Sequence, residues 1–75
     1  MAKFQEHEVV RVICIPERYR VPRDPRFRVP RVGDRGTIVA TGLSTEVEAY
    51  TVECVAPDGG AEWLLDFLAE ELERA

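Results

Sequence analysis

The amino-acid sequence predicts a small, mainly β protein built from antiparallel strands. Three observations carry this. The apolar residues fall in runs of strand length, at residues 8–15, 34–41 and 49–56. Those runs are rich in Val, Ile, Thr and Tyr, the β-branched and aromatic types that suit a pleated, half-buried surface. The segments between them carry the Gly, Pro, Asp and Ser residues that make turns. A chain of 75 residues is one domain, here residues 1–75. At that size only about 60% of the unfolded surface is buried on folding, so each core residue matters.

The first strand is expected over Glu8–Ile15, with Val10, Val12 and Cys14 on one apolar face. Pro16 ends it, because proline has no N–H to give to a sheet ladder. Residues 16–32 form a Pro/Arg-rich loop. Pro16, Pro22, Pro25 and Pro30 exclude a helix; five arginines with Tyr19 and Phe27 lie between them, and Arg31 follows Pro30. The predicted form is extended and partly polyproline-like. The tetrapeptide Arg-Val-Pro-Arg occurs twice, at residues 20–23 and 28–31, an echo too short to be a structural repeat.

Val32-Gly33-Asp34-Arg35-Gly36 reads as a tight turn into the second strand, which runs to Thr41; both glycines allow a positive φ that other residues resist. Gly42–Glu48, with Ser44 and Thr45, is a polar hairpin connection. The third strand covers Ala49–Ala56, and Pro57-Asp58-Gly59-Gly60 is a turn. The segment from Ala61 to Arg74 carries two patterns. As a strand it places Trp63, Leu65 and Phe67 on one face. As a helix it places Trp63, Leu64, Phe67, Leu68 and Leu72 in one stripe, and the pattern alone leans to the helix. A combination satisfies both: a strand to Asp66 or Phe67, then a helical turn over Ala69–Leu72 capped by Asp66. The predicted core is Val10, Val12, Cys14, Ile38, Ala40, Tyr50, Val52, Cys54, Trp63, Leu65 and Leu72.

Composition narrows the function. With 45% hydrophobic and 32% charged residues, the chain is an ordinary globular domain and not a disordered one. No apolar run approaches the 18 or so residues that span a bilayer, and residues 1–8 hold no apolar leader, so a cytoplasmic protein without membrane contact is expected. The net charge of −4 is unevenly spread. From Arg11 to Arg35 there are eight arginines against three carboxylates; from Ala40 onward there are nine carboxylates against Arg74 alone. That asymmetry speaks of partners and fields, not of fold.

Catalytic chemistry finds no support in the residues. The one histidine, His7, lies near the start of the sequence, away from any serine or cysteine. Cys14 and Cys54 sit in apolar runs and read as reduced core thiols. With no Cys-x-x-Cys and one histidine, a zinc site is not expected. The acidic run at residues 70–73 lacks the spacing of a calcium loop, and Gly33–Gly36 lacks the lysine and helix of a phosphate loop. No enzyme activity, cofactor or metal is therefore expected. The loop is the one feature with a sharp reading. Arg18, Tyr19, Arg20, Arg23, Arg26, Phe27 and Arg28 are the candidate partner contacts, since Arg, Tyr and Phe are favoured at protein interfaces. The same residues could grip nucleic acid, though an overall pI near 4.9 weighs against it. They could also close over a second copy of the chain. The plainest alternative is that the arginines pair with the acidic C-terminal half.

In order, Glu8-Val9-Val10-Arg11-Val12-Ile13, Gly33-Asp34-Arg35-Gly36-Thr37-Ile38-Val39, Ala49-Tyr50-Thr51-Val52-Glu53-Cys54-Val55, Pro57-Asp58-Gly59-Gly60 and Ala69-Glu70-Glu71-Leu72 resemble a family of short bacterial proteins of unknown function that form SH3-like barrels. The resemblance implies a small SH3-like antiparallel β-barrel with a short C-terminal helical turn; the alternative is an α+β fold with a helix over 61–74. It leaves a regulatory, antitoxin or immunity-like role open. The Gly-rich turn also resembles the KOW motif of ribosome- and polymerase-associated barrels and the β-subunit barrel of nitrile hydratases, through shared barrel mechanics alone. The Pro/Arg loop is longer than the family usually carries. The expectation is a non-enzymatic protein-interaction module acting through that loop, with a KOW-like nucleic-acid-binding barrel as the alternative.

Overall fold

A computed structural model describes residues 3–22, 24–43 and 47–75, without the side chain of Leu43. Five strands form one antiparallel sheet: β1 (Val9–Val12), β2 (Arg35–Leu43), β3 (Glu48–Val55), β4 (Ala61–Leu68) and β5 (Leu72–Arg74). The order is β4-β3-β2-β1-β5. The two edge strands, β4 and β5, are joined by just the 3-10 turn Ala69–Glu71. Three residues can link opposite edges only if the sheet curls round on itself. The fold is thus a small antiparallel β-barrel, and among the described residues the other regular element is a 3-10 turn at Glu17–Tyr19.

The segment from Ala61 to Arg74 resolves against a helix. The period-2 pattern prevails because Trp63, Leu65 and Phe67 pair with Cys54, Val52 and Tyr50 of β3. The strand runs to Leu68, which takes the N-cap position expected for Asp66. The buried Glu71 reaches back and accepts the Leu68 N–H at 2.8 Å, satisfying a donor at the start of the turn.

The core consists of Val10, Val12, Ile38, Tyr50, Val52, Cys54, Trp63 and Leu72 as expected, joined by Phe4 and Phe67. Leu65 is partly buried against it. Two expected members lie outside. Ala40 is exposed because a bulge between Ile38 and Ala40 shifts the register, so that Ile38 faces Val52 but Ala40 faces Thr51. Cys14 is exposed because β1 stops at Val12. There the chain leaves the sheet, the Val12 N–H donating to Asp34 O and the Ile13 N–H to Glu71 O.

The glycines of the entry turn differ in purpose. Gly33 has φ +96°, a left-handed conformation with open space around it. Gly36 does not have a positive φ; a Cβ there would lie 2.5 Å from Val52 Cγ1 and 2.8 Å from the Glu53 carbonyl oxygen. It is needed so that β2 can approach β3 closely. The expected polar connection through Ser44 and Thr45 lies outside the described residues.

Candidate functional site

The Pro/Arg loop is not a free extended arm. It folds back on β4 and covers much of that strand's edge. Tyr19 Oη donates to the Asp66 carbonyl at 2.7 Å and accepts the Asp66 N–H at 3.2 Å. The Arg28 N–H donates to the Glu62 carbonyl at 3.2 Å. An edge strand otherwise presents unpaired backbone groups, and the loop satisfies them. The Tyr19 ring packs edge-on against Phe67, and Tyr19 and Phe27 both lean on the core.

Arg28 pins the second half of the loop. Its guanidinium donates to Asp34 Oδ2 at 2.8 Å and to Glu62 Oε2 at 3.1 Å. Asp34 Oδ2 also accepts the Arg31 backbone N–H at 2.8 Å and the Trp63 indole N–H at 3.0 Å. Burial pushes the Asp34 carboxyl up, but Arg28, Arg31 and Trp63 together outweigh it and hold it below its ordinary value. The hydrogen bond from Arg28 holds the Glu62 carboxyl low as well. Glu62 is available because a second bulge, between Cys54 and Val55, leaves it without a β3 partner.

The other arginines divide into spent and free. Arg26 is paired with Asp24 at 2.8 Å, and that hydrogen bond lowers the Asp24 carboxyl to about 2. Arg18 stacks 4.6 Å over the Tyr19 ring and sits 3.8 Å from Glu71. The pairing of loop arginines with the acidic C-terminal half therefore holds for Arg18 and Arg28. Arg20 and Arg31 are exposed, and among the described residues neither has an ion-pair partner. Arg23 lies outside the described residues.

Between loop and sheet is a cleft of about 60 Å³. Its lining includes Val21, Pro22, Val29 and Pro30 from the loop, and Trp63 and Leu65 from β4. The lining is mostly apolar, and the space suits one small side chain; a drug-sized ligand takes roughly 300 Å³ or more. The two Val-Pro pairs are the centres of the two Arg-Val-Pro-Arg tetrapeptides. The echo thus has a structural meaning: both copies meet at one cleft.

Of the expected contacts, Tyr19, Phe27 and Arg28 line this cleft, Arg20 flanks its lining segment, and Arg18 and Arg26 are held by local partners. Val21, Pro22, Pro30, Trp63 and Leu65 were not among the expected contacts. The repeated Val-Pro pair is the signal that points to the first three; nothing local points to the two β4 residues. Burial pushes the Cys54 thiol up, and the neighbouring Asp34 and Glu62 carboxylates add to this, the reverse of what a nucleophile needs. Among the described residues no three His, Cys, Asp or Glu side chains gather as a metal site requires. Among them, too, no helix is long and apolar enough to cross a membrane.

Compared with protein families, with curated proteins and with solved structures, the chain matches none.

Proposed function

We propose that this protein is a non-catalytic protein-binding module that takes one apolar side chain of a partner in the cleft between the Pro/Arg loop and β4. The observation that carries the reading is the cleft itself: Val21, Pro22, Val29, Pro30 and Leu65 around a space that suits one side chain. Proline and aromatic surfaces bind extended chain at low entropic cost because they are already rigid. Pre-organisation is supplied by Arg28, which ties the loop to Asp34 and Glu62. Val21 is 70% exposed, an apolar group that gains from being covered.

A nucleic-acid-binding barrel has less support. Stacking on bases needs free aromatic faces, whereas Tyr19 and Phe27 are packed against the core, and Arg26 and Arg28 are already paired. The test uses a photo-reactive amino acid at Val21 to capture a partner in the native cell. The captured protein, purified, is then titrated into the parent chain and into Val21→Asp. Affinity for the parent with at least a tenfold loss in Val21→Asp is expected. Equal affinity for both, or capture of nucleic acid alone, overturns the reading.

A further inference from the structure

The cleft's surroundings specify more than an apolar group, and we infer that its ligand is an acidic extended peptide segment, a small apolar residue flanked by Asp or Glu, read by Arg20 and Arg31. The inference rests on the module reading above. Its starting point is the placement of the two Arg-Val-Pro-Arg copies. Arg20 immediately precedes Val21, and Arg31 immediately follows Pro30, so in sequence the two exposed arginines flank the two Val-Pro pairs that line the cleft.

The charges near the cleft are not equivalent. Asp24, Asp34 and Glu62 are carboxylates that could repel an acidic ligand, but each is hydrogen-bonded to Arg26 or Arg28. Among the described cations of the loop, those left without a carboxylate are Arg20 and Arg31. Charges already paired within the chain contribute little at a distance, whereas unpaired exposed ones set the sign of the field that an approaching ligand meets. Asp24, Asp34 and Glu62 outnumber Arg26 and Arg28 by one, and Arg20 and Arg31 together bring the described charges of this face to +1, on a chain whose net charge is −4. A basic or neutral segment would leave both arginines without a partner, and a basic one would be repelled.

Apolar lining and cationic rim together favour a peptide over nucleic acid. A phosphate backbone would satisfy Arg20 and Arg31 but would place nothing in an apolar space suited to one small side chain. Exposed charge pairs of this kind contribute modestly each, so the rim selects the ligand's sign and the cleft supplies the anchor.

The experiment is selection from a displayed library of random twelve-residue peptides on the parent chain, in parallel with the Arg20→Glu, Arg31→Glu variant. Both substitutions replace exposed side chains without partners, so the fold is retained. The parent is expected to enrich peptides with Asp or Glu on each side of one small apolar residue, and the variant to enrich Lys or Arg there. The strongest parent peptide, synthesised and titrated, is expected to lose about three- to thirtyfold in affinity for Arg20→Ala, Arg31→Ala, with a smaller salt dependence. Enrichment of neutral or basic flanks by the parent overturns the acidic assignment and leaves the module reading standing. Enrichment of no peptide overturns both. Displacement of the acidic peptide by a single-stranded oligonucleotide that binds the parent more tightly also overturns the assignment, in favour of nucleic acid.

Discussion

At the scale of single residues, Arg28 connects more of the molecule than any other described side chain in the loop. It joins the loop, the β2 entry turn and β4 through Asp34 and Glu62, and its side chain is only 27% exposed. Removing the cation leaves the Asp34 carboxylate half-buried without its charge partner. Arg28→Met should therefore destabilise the chain by about 2–3 kcal/mol at neutral pH, less than a fully buried pair costs because solvent still reaches the site. The acid dependence follows from the same contacts. Both carboxyls titrate lower in the folded chain than in the unfolded one. Between the folded and unfolded values the unfolded state binds more protons, so this contribution is present above the ordinary carboxyl values of 3.8 and 4.5 and fades as pH falls below them. Urea unfolding at a series of pH values should show the parent losing stability below about pH 4.5, with a flatter profile over that range in Arg28→Met. A parallel pair of profiles would separate Arg28 from the carboxyl titration.

At the scale of elements, alternation and turn chemistry made most of the sheet readable. Val10/Val12 and Tyr50/Val52/Cys54 announce their buried faces by period 2 alone, and those residues are core. What alternation cannot carry is a change of phase. The bulge at Val39 turns Ala40 outward, and no residue type marks it. β4 is ambiguous in sequence because Trp63 and Phe67 belong to both a period-2 face and a helical stripe, and the tie is broken by β3, not by local sequence. The candidate site divides similarly. The repeated Val-Pro pairs are local and visible, while the links from Arg28 to Asp34 and Glu62 depend on a fold that brings distant residues together. Gly33 and Gly36 show how one residue type hides two demands. Gly33 needs a positive φ in open space, which asparagine tolerates, so Gly33→Asn should cost about 1 kcal/mol or less. Gly36→Asn or Gly36→Ala drives a Cβ into Val52 and the Glu53 backbone, which cannot yield without parting β2 from β3, and should cost about 3 kcal/mol. Chemical denaturation of the three variants ranks them; equal losses would mean that the strand approach at Gly36 is not the constraint.

At the scale of the whole molecule, barrel closure depends on residues far apart in sequence. β5 pairs with β1, setting Leu72 opposite Val12 and Arg74 opposite Val10. Around that seam Arg74 donates to the Lys3 carbonyl at 2.7 Å, pairs with Glu8, and lies 5.3 Å over the ring of Phe4. Phe4 itself is fully buried and packs edge-on against Tyr50, whose hydroxyl accepts the Phe4 N–H at 3.1 Å. The Tyr50 hydroxyl in turn donates to Glu48, which also accepts the Lys3 N–H. A residue this near the start of the sequence is ordinarily expected to be frayed. Here it plugs the barrel, because a sheet closed by a three-residue edge strand needs apolar volume from beyond its own strands. Phe4→Ala should therefore cost about 3–5 kcal/mol, as much as truncating a central core aromatic. Against a total of roughly 4–11 kcal/mol for a domain of this size, that is enough to abolish or nearly abolish cooperative folding. Phe4→Leu retains most of the buried volume and should lose about a third as much. Urea denaturation followed by far-ultraviolet circular dichroism measures both. A loss under about 0.5 kcal/mol in Phe4→Ala, the size of a typical surface substitution, would falsify the plug and leave closure to the β1–β5 ladder alone.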